Sequence, residues 1–165
     1  MSLSTDPLLA RVRMLDELNS HLTFRISRMS KLLEVEGAQR LSDTGINLTA
    51  YRTMLVINIF KEISVSDLSR IMVIDRAQVS RGASDLIGRG ILESRADARS
   101  KRKKLLALTP AGEALYAETR ATFDTRETEL TDALDQNLSA LWTSIDRISA
   151  YLEAAIEAGS EASDQ

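Results

Sequence analysis

The chain has 165 residues, of which 44% are hydrophobic and 27% charged. The length predicts one compact unit, with or without extensions, and the composition is that of a globular protein. The chain contains no cysteine, which excludes disulfides, thiolate metal sites and thiol-based redox switching within it. Its 21 Lys and Arg against 24 Asp and Glu give a net charge of −3, and that whole-chain figure argues mildly against a polyanionic partner.

The N-terminal region predicts one long helix. Apolar residues recur every three or four positions from Leu8 to Leu33, which is the spacing of one helix face. Asp6 is suited to the N-cap, Pro7 to the first turn and Gly37 to the end of the helix. At about thirty residues the helix exceeds the usual length nearly threefold. A helix that long needs a partner along its length.

The middle of the chain predicts three short helices, the first ending at Phe60, the second reaching Ile74 and the third covering Arg76–Arg89. About three residues join the last two, which is the spacing of a helix-turn-helix. Each helix starts at a residue suited to an N-cap: Thr49, then Ser64 or Ser66, then Asp75. In the third helix four apolar residues are predicted to face inward: Val79, Ala83, Leu86 and Ile87.

After Gly90 the apolar period changes from that of a helix to that of a strand. Ile91–Arg95 predicts a short strand, residues 96–103 a polar hairpin loop, and Lys104–Leu108 a return strand. Two strands alone are marginally stable, so they must pack on the helices. Thr109 and Pro110 then have the residue types that open a helix.

The rest of the chain predicts helix again, with apolar residues mostly three or four positions apart from Leu115 to Ile156. From Leu134 onward the intervals approach those of a heptad seam. The segment Gly159–Gln165 is small and polar, and it predicts a disordered tail.

Charge is concentrated in one part of the chain. Ser64–Thr109 contains ten Lys and Arg and five Asp and Glu, a net charge of +5, so the rest of the chain carries −8. The predicted hairpin Arg95–Lys104 alone contains six basic residues and one acidic residue. A basic protrusion beside a helix-turn-helix offers charges to phosphates. The alternative is a solvated loop whose charge has no partner.

The third short helix fits a DNA-reading role, since recognition helices read base edges with their first turns. Arginine can bond guanine through two hydrogen bonds, and glutamine can bond adenine in the same way. The alternative is that these residues simply face water, as the polar side of any amphipathic helix does. The candidate contacts are Arg76, Ala77, Gln78, Ser80 and Arg81.

Taken in order, these segments resemble a MarR-type transcriptional regulator (multiple antibiotic resistance regulator family) over roughly residues 8 to 157. Each segment is a weak signal alone, but their order and spacing are specific. The resemblance is carried by Ser64-Val-Ser-Asp-Leu-Ser-Arg70, Asp75-Arg-Ala-Gln-Val-Ser-Arg81, Asp97-Ala-Arg99 and Leu108-Thr-Pro-Ala-Gly112.

The resemblance implies a mostly α fold, a winged helix-turn-helix whose long N- and C-terminal helices form a dimerisation region. Residues 1–37 and 110–158 would then serve the homodimer, residues 46–109 would form the DNA-binding lobe, and residues 159–165 would form the tail. The expected activity is repression at a pseudo-palindromic operator in double-stranded DNA, with release by a small phenolic or anionic effector.

The family pattern also assigns roles to wing residues. Arg99 is expected to enter the minor groove, whose narrow form attracts arginine, and Asp97 to hold its guanidinium in place. Lys101 and Arg102 are expected to add contacts to DNA. For the effector, the polar candidates are His21, Arg25 and Tyr51, although a His–Arg pair within one helix is more often a solvated or dimer-interface feature than a ligand site.

One residue departs from the family pattern. Members often have glycine in the turn between the two short helices, about where Val73 stands. Because a β-branched residue resists positive φ, we expect either a different backbone in this turn or a shift of the helix end by one residue.

Other classes of function find less support. The chain has one His and no Cys, so it offers few residues for a Ser-His or Cys-His nucleophilic arrangement. We therefore expect no enzyme, catalytic residue, metal or cofactor. A winged-helix adaptor that binds protein rather than DNA stays open, but it predicts a neutral or acidic wing. We expect no membrane association, since the longest apolar runs are tetrads such as Met54–Ile57, far short of the roughly 20 residues of a membrane span. We also expect a cytoplasmic protein, since Asp6, Arg11 and Arg13 stand where a signal peptide needs an apolar run.

Overall fold

The computed structural model describes the backbone of residues 7–97 and 100–163, and within these ranges the side chains of residues 11, 14–97 and 104–159. The chain divides into two compact units, Met1–Thr119 and Arg120–Gln165. The elements of the described part are α1 (Pro7–Ser20), α2 (Leu22–Arg40), α3 (Leu48–Phe60), β1 (Ile63–Ser64), α4 (Val65–Met72), α5 (Arg76–Gly88), β2 (Leu92–Asp97), β3 (Ser100–Leu108), α6 (Pro110–Leu134), a 3-10 turn (Asp135–Asn137) and α7 (Leu138–Ser163).

The N-terminal arm is two helices rather than the predicted single helix. His21 separates α1 from α2 with an extended backbone, φ −82° and ψ 116°. The break is one residue wide, because the N–H of His21 still donates to the carbonyl of Leu18 at 3.2 Å. Gly37 was also predicted wrongly, since it is buried inside α2, which ends at Arg40. The apolar spacing continues across His21, so the sequence pattern carries no signal of the break.

Local caps explain where α3, α4 and α5 begin. The Asn47 side chain accepts the N–H of Ala50 at 2.8 Å, so α3 starts at Asn47 and the prediction of Thr49 is wrong. Ser64 caps α4 as predicted, accepting the N–H of Asp67 at 3.2 Å. Asp75 caps α5 as predicted, accepting the N–H groups of the second and third helical residues, both at 3.0 Å. These bonds satisfy backbone donors that a helix start leaves open.

The turn between α4 and α5 keeps the left-handed conformation despite its valine. Val73 has φ 53° and ψ 44°, so the expectation of a different backbone or a shifted helix end is wrong. Its N–H donates to the carbonyl of Arg70 at 3.3 Å, and the N–H of Ile74 donates to that of Ser69 at 3.1 Å. This is the Schellman pattern of a helix end. The left-handed region costs a side-chain-bearing residue on the order of 1–2 kcal/mol.

The sheet has three antiparallel strands in the order β1-β3-β2. β2 and β3 pair from Leu92↔Leu108 to Asp97↔Ser100, so most of the predicted loop 96–103 is strand, and that prediction is wrong. β1 was not predicted, because two residues are too short to show a period. Its Ile63 pairs with Leu106 on the other edge of β3.

The start of α6 is tied to the segment that precedes β2. Thr109 caps the helix as predicted: its Oγ1 accepts the N–H of Gly112 at 3.0 Å and donates to the carbonyl of Gly90 at 2.6 Å. Gly112 is buried, and a Cβ placed on it would lie 2.1 Å from the carbonyl oxygen of Ile91. The Thr-Pro-Ala-Gly segment therefore consists of a cap, a helix-starting proline and a close backbone contact.

The core of the first unit joins α3, α4, α5 and the sheet. Its most buried members are Met54, Ile57, Leu68 and Leu92, none more than 2% exposed. The residues of α5 predicted to face inward are buried, with one exception: Ile87 is 38% exposed, so that prediction is wrong. The predicted fold class, a mostly α winged helix-turn-helix, is confirmed.

The second unit contains the end of α6, the 3-10 turn and α7. α7 continues past Gly159 to Ser163, where the sequence had predicted a disordered tail. α7 leaves large apolar side chains exposed: Trp142, Ile145, Tyr151, Leu152 and Ile156. Across the described part of the chain, no helix is both long and apolar enough to cross a membrane.

Candidate nucleic-acid interface

The outer face of α5 presents every residue that the sequence had selected on this helix. All five positions are exposed, whereas Val79, Ala83 and Leu86 are buried and seat the helix on the core. The cap at Asp75 fixes the start of the helix, so the exposed face begins at its first residue. The exposed residues are Arg76, Ala77, Gln78, Ser80 and Arg81.

The cations around α5 differ in their availability. Arg70 pairs with Asp67 at 3.2 Å, and Arg89 pairs with Asp85 at 3.5 Å while also donating to the carbonyl of Gly45 at 2.9 Å. Within the described side chains, neither arginine in the first two turns of α5 forms an ion pair. These two guanidinium groups are therefore available to an incoming anion.

The wing is built from the paired ends of β2 and β3. Asp97 is the half-buried last residue of β2, and its strand partner is Ser100. Arg99 lies outside the described residues, so its expected contact with Asp97 stays a prediction. Lys101 and Arg102 belong to β3, but their side chains are outside the described set. Lys104 is exposed.

One arginine of the wing already forms ion pairs within the protein. Arg95 pairs with Glu62 at 3.0 Å and makes a shorter ion pair with Glu93. Hydrogen bonds to these two carboxylates raise the pKa of Arg95 above its ordinary value. The sequence count therefore overstates the charge that the wing offers to phosphates. The hairpin sequence alone does not reveal the ion pair with Glu62, because Glu62 lies 33 positions before Arg95.

Two cavities are lined by described residues of the winged lobe. The first, of about 280 Å³, lies between α3 and α5 and includes Thr49, Gln78, Arg81 and Arg89 in its lining. The second, of about 380 Å³, lies at the base of the wing, and its lining includes Arg95. Within the described residues, no group of three or more His, Asp or Glu side chains is placed to hold a metal ion.

The three residues predicted for an effector pocket have different surroundings. His21 and Arg25 are exposed at the start of α2, at the opposite end of that helix from the loop leading to α3. Tyr51 is buried on α3 and stacks on Tyr116, with ring centroids 6.2 Å apart and planes at 22°. The hydroxyl of Tyr116 is buried and has no hydrogen-bond partner among the described residues. None of the three predicted residues lines either of the two cavities.

A helix-turn-helix with an exposed, cationic second helix, followed by a hairpin paired into a three-stranded sheet, defines the winged helix-turn-helix class. Within that class, residues 44–103 match the model of the MarR family. The resemblance to MarR-type regulators is thereby confirmed, since solved regulators of that family also share the fold. No curated protein sequence matches the chain.

Three solved structures illustrate the shared fold. The transcriptional repressor CouR, bound to a 23-mer DNA duplex, is 21% identical, with a TM-score of 0.73 over 81% of this chain and 95% of that one. A MarR family transcriptional regulator from Silicibacter pomeroyi is 22% identical, with a TM-score of 0.72 over 85% and 93%. A mutant of MarR from E. coli, complexed with operator DNA, is 17% identical, with a TM-score of 0.65 over 89% and 99%.

Proposed function

We propose that this protein is a transcriptional regulator that binds double-stranded DNA as a homodimer and represses from a pseudo-palindromic operator. The observation that carries the proposal is α5, a capped helix seated by three buried apolar residues. It presents two arginines that form no ion pair with any side chain that the structure describes. Such a helix fits the major groove, where its first turns reach base edges. DNA in two of the similar structures supports the same reading. This role would place the protein in the cytoplasm.

The homodimer is supported by apolar surface in both units. In the second unit Trp142 is 50% exposed and Leu152 51%. Apolar patches of this extent, when continuous, mark interaction sites. We assign residues 1–37 and 110–158 to the dimer and 46–109 to the DNA lobe. Along α1 and α2 the exposed apolar side chains are Met14, Leu15, Leu18, Leu22, Phe24, Ile26, Met29, Leu32 and Val35.

A dimer would place two copies of α5 against one face of the duplex. Successive major grooves on that face lie about 34 Å apart, so the two half-sites should be separated by one helical turn. In sedimentation equilibrium we expect the whole chain to be dimeric at micromolar concentration. Leu152→Glu should shift it toward monomer, since a charge would be buried unpaired in the interface. An unchanged dimer would exclude this face of α7.

The wing contains two arginines that can be compared by substitution, Arg99 as a proposed DNA contact and Arg95 as its control. We propose that Arg99 contacts the minor groove with help from Asp97, and that Lys101 and Arg102 contact DNA beside it. Arg99→Ala should weaken binding by about 1–3 kcal/mol per half-site without changing the melting temperature. Arg95→Ala is the control: its charge is already paired with Glu62, so its loss of affinity should be much smaller. Equal losses in an anisotropy titration would contradict the assignment.

We further propose that a small phenolic or anionic effector releases the DNA. The stacked Tyr51 and Tyr116 support a site on the inner side of α3, because the unpaired Tyr116 hydroxyl would gain a partner from a polar ligand. His21 and Arg25 remain the candidates on α2. Isothermal titration calorimetry with salicylate tests this site. We expect salicylate to bind the wild-type protein more tightly than the Tyr116→Phe variant, which lacks the hydroxyl.

The decisive test of DNA binding is selection of duplexes from a randomised pool by the full-length protein. The proposal expects an enriched inverted repeat whose two halves lie about one helical turn apart. Recovery of no common sequence would contradict it and favour the adaptor, which uses the winged fold to bind a protein.

A further inference from the structure

Val73 occupies a conformationally constrained position in the DNA-binding lobe. It is a β-branched residue in the left-handed region, with φ 53°. Such a conformation persists only where the surroundings over-determine it. Here three hydrogen bonds close the turn: the two of the helix end, and one from the Ser69 hydroxyl to the carbonyl of Ile74 at 2.7 Å. Asp75 then caps α5 immediately after the turn.

The side chain of Val73 makes little packing contact that could offset this strain. It is 83% exposed, the highest value among the large apolar residues that the structure describes as exposed, so it contributes little packing. Glycine would allow the same backbone without strain. A strained residue with no packing role is a candidate for a role in function.

The position of Val73 suggests what that role is. It lies three residues before Arg76, at the end of α5 from which base edges are read. A valine offers only methyl groups, which cannot bond a phosphate or a base edge. In the major groove, thymine is the base that presents a methyl group, at C5.

We infer that Val73 is a specificity-determining residue that packs on the C5-methyl of a thymine in each half-site. The inference rests on the proposed function, because it requires α5 to enter the major groove. It differs from the Arg and Gln contacts in reading a methyl group rather than a hydrogen-bonding edge.

The test uses the duplex that the full-length protein selects from a randomised pool. Each thymine of a half-site is replaced in turn by deoxyuridine, which lacks only the C5-methyl. Burying one methyl group corresponds to about a fourfold change in affinity, so we expect roughly fourfold weaker binding for one half-site and about fifteenfold for both. Val73→Gly should abolish this difference at one thymine while raising the melting temperature by a few degrees.

Two further variants separate the possible outcomes. Ile59→Ala removes an aliphatic side chain of α3 that is 65% exposed, and it should keep the full preference for thymine. Val73→Ala keeps a side chain in the left-handed turn but removes two methyl groups, and it should lose most of the preference. A Val73→Gly variant that discriminates thymine from deoxyuridine as well as the wild type would overturn the inference, while DNA binding itself stood. Failure of the wild type to select any duplex would overturn the proposed function, and the inference with it.

Discussion

Gly112→Ala is expected to destabilise the protein by about 2–3 kcal/mol, the upper part of the range for an overpacked core. The added Cβ would lie 2.1 Å from the carbonyl oxygen of Ile91 and 3.1 Å from its carbonyl carbon. Because this neighbour is backbone, it cannot move aside as a flexible side chain could. Relief requires the start of α6 to shift away from the segment before β2. Urea denaturation followed by circular dichroism measures the loss.

Two glycines of α5 provide the controls for Gly112→Ala. Neither Gly82 nor Gly88 has an atom within 4 Å of an added Cβ, and neither has positive φ. Gly82→Ala lies inside an exposed helix face and should stabilise the chain by about 0.5–1 kcal/mol. If Gly112→Ala were as well tolerated as these two, the close contact at the start of α6 would be contradicted.

Arg81→Ala is expected to cost about 2–6 kcal/mol of DNA-binding free energy, because the proposed homodimer would lose one contact of about 1–3 kcal/mol in each half-site. That range corresponds to at least a thirtyfold loss of affinity. Arg81 is exposed on α5 and forms no ion pair within the described side chains. Anisotropy titration of the selected operator measures the effect.

Arg120→Ala is the matched control for Arg81→Ala. It also removes an exposed arginine, but one outside the winged lobe that pairs with Asp124 at 3.2 Å. Its affinity for DNA should change less than twofold. Equal effects of the two substitutions would mean that α5 does not supply the recognition surface.

The sequence predicted those parts of the fold that depend on neighbouring residues. Ser64, Asp75 and Thr109 were correct as caps because a cap bonds an N–H two or three positions away. The break at His21 and the strand β1 were missed for the opposite reason. The apolar period runs through the break, and β1 exists only because β3 pairs with it from more than 40 positions away.

In the candidate site, too, features set by neighbouring residues were predicted and features set by distant residues were not. Helical spacing correctly predicted which face of α5 is exposed, since that depends only on which residues are buried below it. The ion pair between Arg95 and Glu62 could not be predicted, because it depends on how the base of the wing meets β1. The left-handed backbone of Val73 was also missed, because residue preference alone argued against it while three hydrogen bonds in the turn impose it.

We propose that the basic segment Ser64–Thr109, at +5 within a chain of −3, binds the phosphates of DNA. The most direct measurement is anisotropy titration of the selected duplex at several salt concentrations. A dimer that makes about 6–10 phosphate contacts should show log affinity falling linearly with log salt, with a slope of about −5 to −9. Absence of binding at low salt, or an affinity that does not change with salt, would show that this segment does not bind DNA through its phosphates.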